Sequence, residues 1–378
     1  MKKLGLVCFL ALSAGSKVFA QSSVTLYGVI DEGVGFTNNA GGHQAWQMQS
    51  GYVYGSRWGL KGSEDLGAGL KALFTLENGF DVNSGAAAQS GRMFGRQAYV
   101  GVASDQLGTV TLGRQYDSVV DYLAPLTANG GYAGWPFSHP FDNDNTDNSF
   151  RLNNAAKYTS NNYGGLRFGG AYAFSNQAGG FSNNRAYSAG VSFSGGSLSA
   201  AAAYLQANNP GASSAGGLAT DDTNFVASRQ RVWGAGLSYT LGQAKAGFVY
   251  SHTTLDSPSA SVYLGRLPVG LTSGKFDNFE VNATYQFSPS LSALAMYTYT
   301  KGTFDANAQQ VKRNWHQGGL MVDYFVSKRT DVYAQAVYQQ TTGGSTGTVL
   351  DDAYIAGAAG FSSSNKQILA RVGIKHAF

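Results

Sequence analysis

Apolar and polar residues alternate one by one along most of this chain, in short segments bounded by glycine and polar clusters. A period of two is the signature of an extended strand whose successive side chains point to opposite faces, and no helical period competes with it over a long stretch. At 51–62, Tyr52, Tyr54, Trp58 and Leu60 share one parity, and Arg57, Gly59 and Lys61 share the other. At 165–175, Leu166, Phe168, Tyr172 and Phe174 alternate with Arg167, Gly169 and Ala171. The pattern predicts strands near 23–36, 51–64, 70–80, 91–104, 108–117, 151–160, 165–175, 185–194, 197–206, 229–240, 243–253, 276–288, 290–303, 313–326, 330–341 and 365–378.

The polar face of these strands is sparse and glycine-rich, unlike a soluble surface. Placed in lipid, the pattern makes sense as aromatic outside and basic inside. A closed barrel satisfies every backbone hydrogen bond between neighbouring strands and exposes only alternate side chains to lipid, so a mean hydropathy of -0.17 is compatible with a membrane protein. The expectation is therefore all-β: a transmembrane antiparallel β-barrel of about 16 strands, an even number as in bacterial single-chain barrels. Tight turns such as 65–69, 104–108, 195–196, 241–242 and 288–290 alternate with long polar connections at 207–228, 254–275 and 342–364. This places both termini on the short-turn, periplasmic rim. The longest insertion, Asp117 to Phe150, is of a size that in a compact protein is usually functional.

The first twenty residues read differently. Lys2 and Lys3 precede an apolar run from Leu4 to Leu12, and Val18-Phe19-Ala20 precedes Gln21, which is the pattern of a secretory leader removed before folding. The expected division is a signal peptide at 1–20 and a single barrel domain at 21–378. The one cysteine, Cys8, falls in the leader, so the mature chain has no thiol chemistry to offer. Three of the 26 basic residues (Lys2, Lys3 and Lys17) fall there too, leaving 23 against 22 acidic ones, and near-neutrality argues against a nucleic-acid partner. Any charge selectivity must then be local.

An ordered set of motifs resembles the Gram-negative general porins of the beta-proteobacterial type. It runs from Val24-Thr25-Leu26-Tyr27-Gly28-Val29-Ile30-Asp31, through Ser56-Arg57-Trp58-Gly59-Leu60-Lys61-Gly62-Ser63-Glu64-Asp65-Leu66-Gly67 and Gly113-Arg114-Gln115-Tyr116-Asp117, to the terminal Phe378. The resemblance implies a homotrimer in the outer membrane, each barrel with its own water-filled pore for passive diffusion of ions and small hydrophilic solutes, narrowed by an inward-folded third extracellular loop at 117–150. It implies that Arg57, Arg96 and Arg151 line the constriction, with Lys61 and Arg114 as neighbours and Asp117 and Asp121 as acidic partners across it. It further implies subunit contact through the first strands and the second loop (Asp81 to Ser90), with Gly28 on the lipid-facing parity allowing close approach. Phe378 is expected to act in assembly. The Pro-Glu-Phe-Gly-Gly segment common in the family's inward loop is missing.

Other chemistry finds little support in the sequence. Asp142-Asn143-Asp144-Asn145-Thr146-Asp147 has the alternating oxygens of a calcium loop but lacks the glycine at its sixth position and the glutamate at its twelfth, and reads as a solvated acidic loop. His43, His139, His252, His316 and His376 are dispersed, with no carboxylate at metal-ligand spacing, and neither a phosphate-binding loop nor a nucleophile elbow occurs. No cofactor, metal or catalytic residue is expected. Two alternatives remain open: a substrate-specific sugar or organic-anion channel using Trp135, Phe137 and Phe141, and an outer-membrane hydrolase.

Overall fold

The computed structural model describes residues 23–307 and 309–378; the expected leader and Cys8 lie outside the described residues. Twenty strand segments occur in chain order: β1 (Ser23–Ala40), β2 (His43–Ser50), β3 (Arg57–Gly67), β4 (Leu70–Gly79), β5 (Gln97–Ser104), β6 (Gly108–Gln115), β7 (Leu152–Thr159), β8 (Leu166–Ala173), β9 (Ala186–Gly195), β10 (Leu198–Asn208), β11 (Phe225–Val226), β12 (Arg229–Leu241), β13 (Ala244–Asp256), β14 (Ala260–Ser261), β15 (Gly265–Arg266), β16 (Leu271–Ser288), β17 (Leu291–Ala306), β18 (Gln309–Phe325), β19 (Thr330–Gly343) and β20 (Lys366–Ala377). The short β11, β14 and β15 form a small sheet in the loops. The other seventeen form one antiparallel sheet that closes where β1 meets β20, in register from Val29 opposite Ala377 to Thr37 opposite Leu369. Because β2 and β3 pair with the upper and lower halves of β1, they are one wall strand in two pieces, and the barrel has sixteen strands. Closure leaves no edge, which is what lipid demands of a sheet.

The expected strand at 51–64 is corrected here. Residues 51–56 leave the wall, and the strand resumes only at Arg57, while 43–50, expected to be loop, is paired to β1. The reason is Asp31, fully buried on the inward face of β1. Its main-chain N–H donates to Ser56 Oγ (3.1 Å), its carbonyl accepts from Gly51 N–H (2.8 Å), and its carboxylate accepts from the N–H groups of Val53 (2.7 Å) and Tyr54 (2.9 Å). Arg371 on β20 and the Tyr333 hydroxyl on β19 complete its shell. Tyr52 and Tyr54 consequently face the lumen and not lipid: Tyr52 packs edge-on against Trp135 in the long insertion, with centroids 5.1 Å apart, and Lys375 lies over Tyr54.

Elsewhere the alternation holds. The wall's outward parity carries Val100 and Val102, Leu237 and Tyr239, Leu320 and Val322, and Val372 and Ile374, all exposed, while Val249, Ser251, Met321, Gln335 and Arg371 on the other parity are buried. No helix among the described residues is long and apolar enough to cross a membrane; the crossing elements are strands.

The barrel is filled by its own loop. Residues 117–150 turn inward and fold as short helical turns. Val119, Tyr122, Leu123 and Leu126 pack on inward alanines of β7–β10 (Ala155, Ala171, Ala201 and Ala203 among them) and on Val232 and Val249. A Cβ at Gly190 would lie 2.4 Å from the Tyr122 ring, one at Gly234 2.6 Å from Leu123, and one at Gly319 2.3 Å from Phe137. The inward glycines and alanines are thus the seat of this loop, not merely a small lining.

Gly28 requires a second correction. It does face outward, but the ring of Phe378 covers it: a Cβ there would lie 2.3 Å from Phe378 Cζ and 2.7 Å from the Arg57 carbonyl. The same two residues exchange main-chain hydrogen bonds of 3.0 and 3.1 Å. The glycine therefore accommodates the ring of Phe378 at the barrel seam. Gly28→Val and deletion of Phe378 should each lower the yield of folded barrel several-fold without changing the strand content of the barrels that do form. The heat-dependent electrophoretic shift of membrane fractions reports the first, and circular dichroism the second.

Candidate functional site

The strands β3 to β7 converge on a cavity of about 500 Å³ inside the barrel, bounded on its other side by the inward loop. Its charged lining consists of Arg57, Glu77, Arg96, Asp147 and Arg151, with Tyr52, Tyr54, Tyr116, Tyr132, Trp135 and Tyr263 among the aromatics. Arg57 opens β3 at the break inside the second wall strand, whereas Arg96 immediately precedes β5 and Arg151 immediately precedes β7, where wall strands leave the loops at 80–96 and 117–150. Glu77 on β4 lies between the first two: Arg96 Nε donates to Oε1 at 2.8 Å, and Arg57 Nε approaches Oε2 at 3.6 Å. Tyr27 OH donates to Oε2 (2.9 Å), and Arg96 Nη2 donates to Tyr116 OH (3.1 Å). Arg151 lies over the Tyr116 ring, 5.8 Å from its centroid, and makes no ion pair among the described residues.

The other expected residues fall elsewhere. Lys61 extends over the Tyr27 ring below this cavity, 5.2 Å from its centroid, and does not line it. Arg114 donates to Asp222 (2.5 Å) and the Gly95 carbonyl (2.8 Å), so its charge is taken up by the loop at 209–228. Asp117 and Asp121 do not face the arginines. Asp117 is fully buried at the root of the inward loop, accepting from Val119 N–H (2.7 Å) and from Asn145 Nδ2 (2.7 Å), and Asp121 is ion-paired with Lys157. Burial pushes Asp117 up to about 6, against the pull of those donors. Both carboxylates anchor the loop, whereas Glu77 and Asp147 are the acids of the neck. Glu77 lies on β4, where parity marks the inward face, whereas Asp147 lies in a loop, where parity gives no signal.

The acidic run at 142–147 is also not solvated as expected, because Asp142 through Thr146 are buried. Asp142 accepts from the N–H groups of Asp147 (2.9 Å) and Ser149 (3.0 Å). Asp144 meets His139 Nδ1 at 2.7 Å, and Glu280 on β16 approaches His139 Nε2 at 3.2 Å. His139 thus has two carboxylate partners, contrary to the dispersed reading of the histidines; its partners are far apart in sequence or across a turn. Burial alone would lower its pKa, but Asp144 and Glu280 hold the proton on, and the value is raised to about 10. His139 therefore stays cationic at neutral pH and ties the loop to the far wall. The same loop is fastened by Ala128 N–H to Glu280 (2.8 Å), by Gln335 to the Ala133 carbonyl (2.6 Å) and by Gln317 to the Ser138 carbonyl (3.0 Å). Phe137 and Phe141 are buried against wall and loops, leaving Trp135 as the one of the three expected aromatics that lines the cavity.

A closed antiparallel barrel with apolar residues outside, an inward loop and an arginine-rich neck defines the class of outer-membrane β-barrels. The Gram-negative porin family model matches residues 7–344, and the chain belongs to that family. An outer membrane porin protein of Bordetella pertussis is 38% identical over 189 residues, covering 46% of this chain and 49% of that one. Outer membrane porin protein 32 of Delftia acidovorans is 37% identical over 183 residues, covering 46% and 50%. The chain spans about half the length of the curated relatives it matches. Among solved structures, the anion-selective porin from Comamonas acidovorans superposes with a TM-score of 0.72 at 25% identity over 95% of this chain and 100% of that one. OmpT of Vibrio cholerae in its trimer form, at TM-score 0.65 and 17% identity over 94% and 99%, shares the fold.

The raised His139 generates a pH prediction. Its folded value lies above the ordinary 6.5, so its stabilising contribution is fully present below that pH and is lost as pH rises through about 10. Removing one partner of a buried ion pair costs roughly 3–5 kcal/mol. His139→Ala should therefore lower the denaturation midpoint and raise open-channel noise at pH 7. In the wild type, the same noise should grow between pH 8 and 10.5, and a flat profile across that range would remove His139 as the loop's clasp.

Proposed function

We propose that this chain is an outer-membrane porin, assembling as a homotrimer in which each barrel passes ions and small hydrophilic solutes by passive diffusion with a weak preference for anions. The observation that carries the reading is the neck's charge: three guanidinium groups against the two carboxylates of Glu77 and Asp147. Lining charges act through a lower effective dielectric than bulk water, so they outweigh the near-neutral net charge of the chain. Named relatives support it: one structural neighbour is an anion-selective porin and another was solved as a trimer. The second loop is tied to the rest of its own chain near both ends: Val82 N–H donates to Ser50 Oγ (2.9 Å), Ser90 donates to the Asp221 carbonyl, and Arg92 just beyond it pairs with the Asp221 carboxylate (2.6 Å each). Those bonds hold the loop's ends to its own barrel, and the exposed tip between them, 83–86, is the part offered to a neighbour. Light scattering of mildly extracted protein tests the trimer, and a monomer-sized species would count against it.

Asp147 gives the selectivity a pH dependence. Burial raises it to about 7, opposed by Asn129 and Arg151. Its negative charge is therefore lost as pH falls through 7, and the neck becomes more positive. Reversal potentials in a tenfold salt gradient should show anion preference rising from pH 8 to pH 5, and Asp147→Asn should flatten that trend. Replacing Arg57, Arg96 and Arg151 together by glutamine should shift permeation toward cations, an effect that shrinks with salt because screening acts over ~10 Å at 0.1 M. An unchanged potential in the folded triple variant would place selectivity outside this neck.

A further inference from the structure

The inward loop does not close the neck alone. Between β13 and β16, residues 257–270 form a hairpin at the long-loop end of the barrel: β14 pairs with β15, Ala260 opposite Arg266 and Ser261 opposite Gly265, and β11 adds on the other edge with Phe225 opposite Ser261. The turn consists of Val262, Tyr263 and Leu264 and is closed by Gly265 at φ 66°, a left-handed conformation that glycine adopts without a Cβ penalty. Its three side chains part company. Val262 is exposed, Leu264 is buried, and Tyr263 lines the neck cavity.

The hairpin is fixed from behind by apolar packing. Leu264 and Leu267 are buried in one cluster with Phe225, Phe276 and, from the inward loop, Phe141. Val262 N–H donates to the Asn224 carbonyl (3.0 Å), and Leu267 N–H to the Ser259 carbonyl (2.9 Å). From that base Tyr263 reaches forward: its hydroxyl meets Ser149 Oγ at 2.9 Å and accepts from Trp135 Nε1 at 3.3 Å, and its ring centroid lies 6.2 Å from that of Tyr354. Trp135 in turn packs on Tyr52, whose hydroxyl donates to the Gly357 carbonyl (2.6 Å). Four separate stretches, 51–56, 117–150, 257–270 and 344–365, thus meet in a rim of aromatic side chains beside the cavity that Arg57, Arg96 and Arg151 line. Burial, with Asp142 and Asp147 nearby, pushes the Tyr263 hydroxyl up. The residue therefore adds bulk to the neck and no charge.

We propose that Tyr263 is a size-determining residue of the channel: the hairpin at 257–270 is a second constriction element, and the Tyr263 ring, together with the inward loop, limits the bulk of solute that passes the neck. The proposal rests on the porin reading above, since only in a channel does a ring in the neck decide what passes. Charge and bulk are then sorted by different side chains. The guanidinium groups on the wall choose the sign of the solute, and the uncharged ring of Tyr263 limits its width.

The test uses the purified protein reconstituted in planar bilayers and in liposomes. Tyr263→Ala should raise single-channel conductance in potassium chloride by roughly 1.5-fold, because flow through a narrow pore follows its open width. It should also speed disaccharide entry into liposomes severalfold more than pentose entry. The reversal potential in a tenfold salt gradient should stay on the anion side, since the arginines are untouched. Tyr263→Phe keeps the ring and should keep the sugar profile, while loss of the tie to Ser149 and Trp135 raises open-channel noise. Val262→Ala, at the exposed neighbour, should change neither. Tyr263→Cys gives a reading that does not depend on folding yield: the chain's one cysteine, Cys8, lies in the expected leader, so a bulky charged methanethiosulfonate added to open channels should lower their conductance stepwise. Equal conductance and sugar rates in Tyr263→Ala, or a Tyr263→Cys channel that ignores the reagent, would overturn the proposal and leave the porin reading standing. A wild type that forms no channels would instead fail the porin reading, before any variant is compared.

Discussion

A single buried carboxylate holds the barrel's irregularity in place. Asp31 stands where the second wall strand is interrupted, and its main-chain and side-chain groups replace the ladder partners that 51–56 withdraws. In lipid an unpaired backbone group costs several kcal/mol, so a gap in the wall survives only where something else meets those groups. Arg371 then neutralises the acid, donating also to the Gln49 carbonyl (2.5 Å) and lying over Tyr52 and Tyr333. The displaced segment reaches the lumen, where the Tyr52 carbonyl accepts from Trp135 N–H (2.7 Å). The inward loop is thereby registered against β1, and the neck's outline follows from one acid on one strand.

The rest of the loop is held by two kinds of contact with different tolerance. Near its root, apolar side chains rest on alanines and glycines, an arrangement that depends on volume and would respond to any added methyl group. At its far end, polar groups carry the load: His139 between Asp144 and Glu280, Asn143 against Asn278 (2.9 Å), and Asn224 on the Phe141 and Asp142 carbonyls (2.8 Å each). Buried networks of this kind strengthen one another when fully satisfied and are costly when one member is lost. The loop is therefore fixed by shape at one end and by charge at the other.

That division explains why the neck can keep excess positive charge. Three arginines within one small cavity repel one another; burial, and after it the charge of Arg96, lowers Arg151 to about 10, still cationic at neutral pH. Glu77 offsets two of them, and Tyr116 offers its ring to Arg151 and its hydroxyl to Arg96. Because Asp117, Asp121, Asp142 and Asp144 are occupied in anchoring, little acid is left to cancel the wall.

Alternation determined the class of this protein by itself. A period of two gives each residue a face, so the sixteen-strand closed barrel, the outward aromatics, the inward parity of Arg57, and the alternation of tight turns with long loops were all legible before any coordinates. Parity stops where the strand stops. Tyr52 and Tyr54 kept their alternation in sequence but lost its meaning once Asp31 drew 51–56 out of the wall. The partners of His139, Asp117, Asp121 and Arg114 lie in loops or on opposite walls, at separations that no local spacing encodes. The inward glycines looked like lining because their reason, the side chains of a loop folded back through the lumen, exists only when the barrel has closed around it. Sequence alone fixed which face each strand residue takes; only closure of the barrel decided what those faces meet.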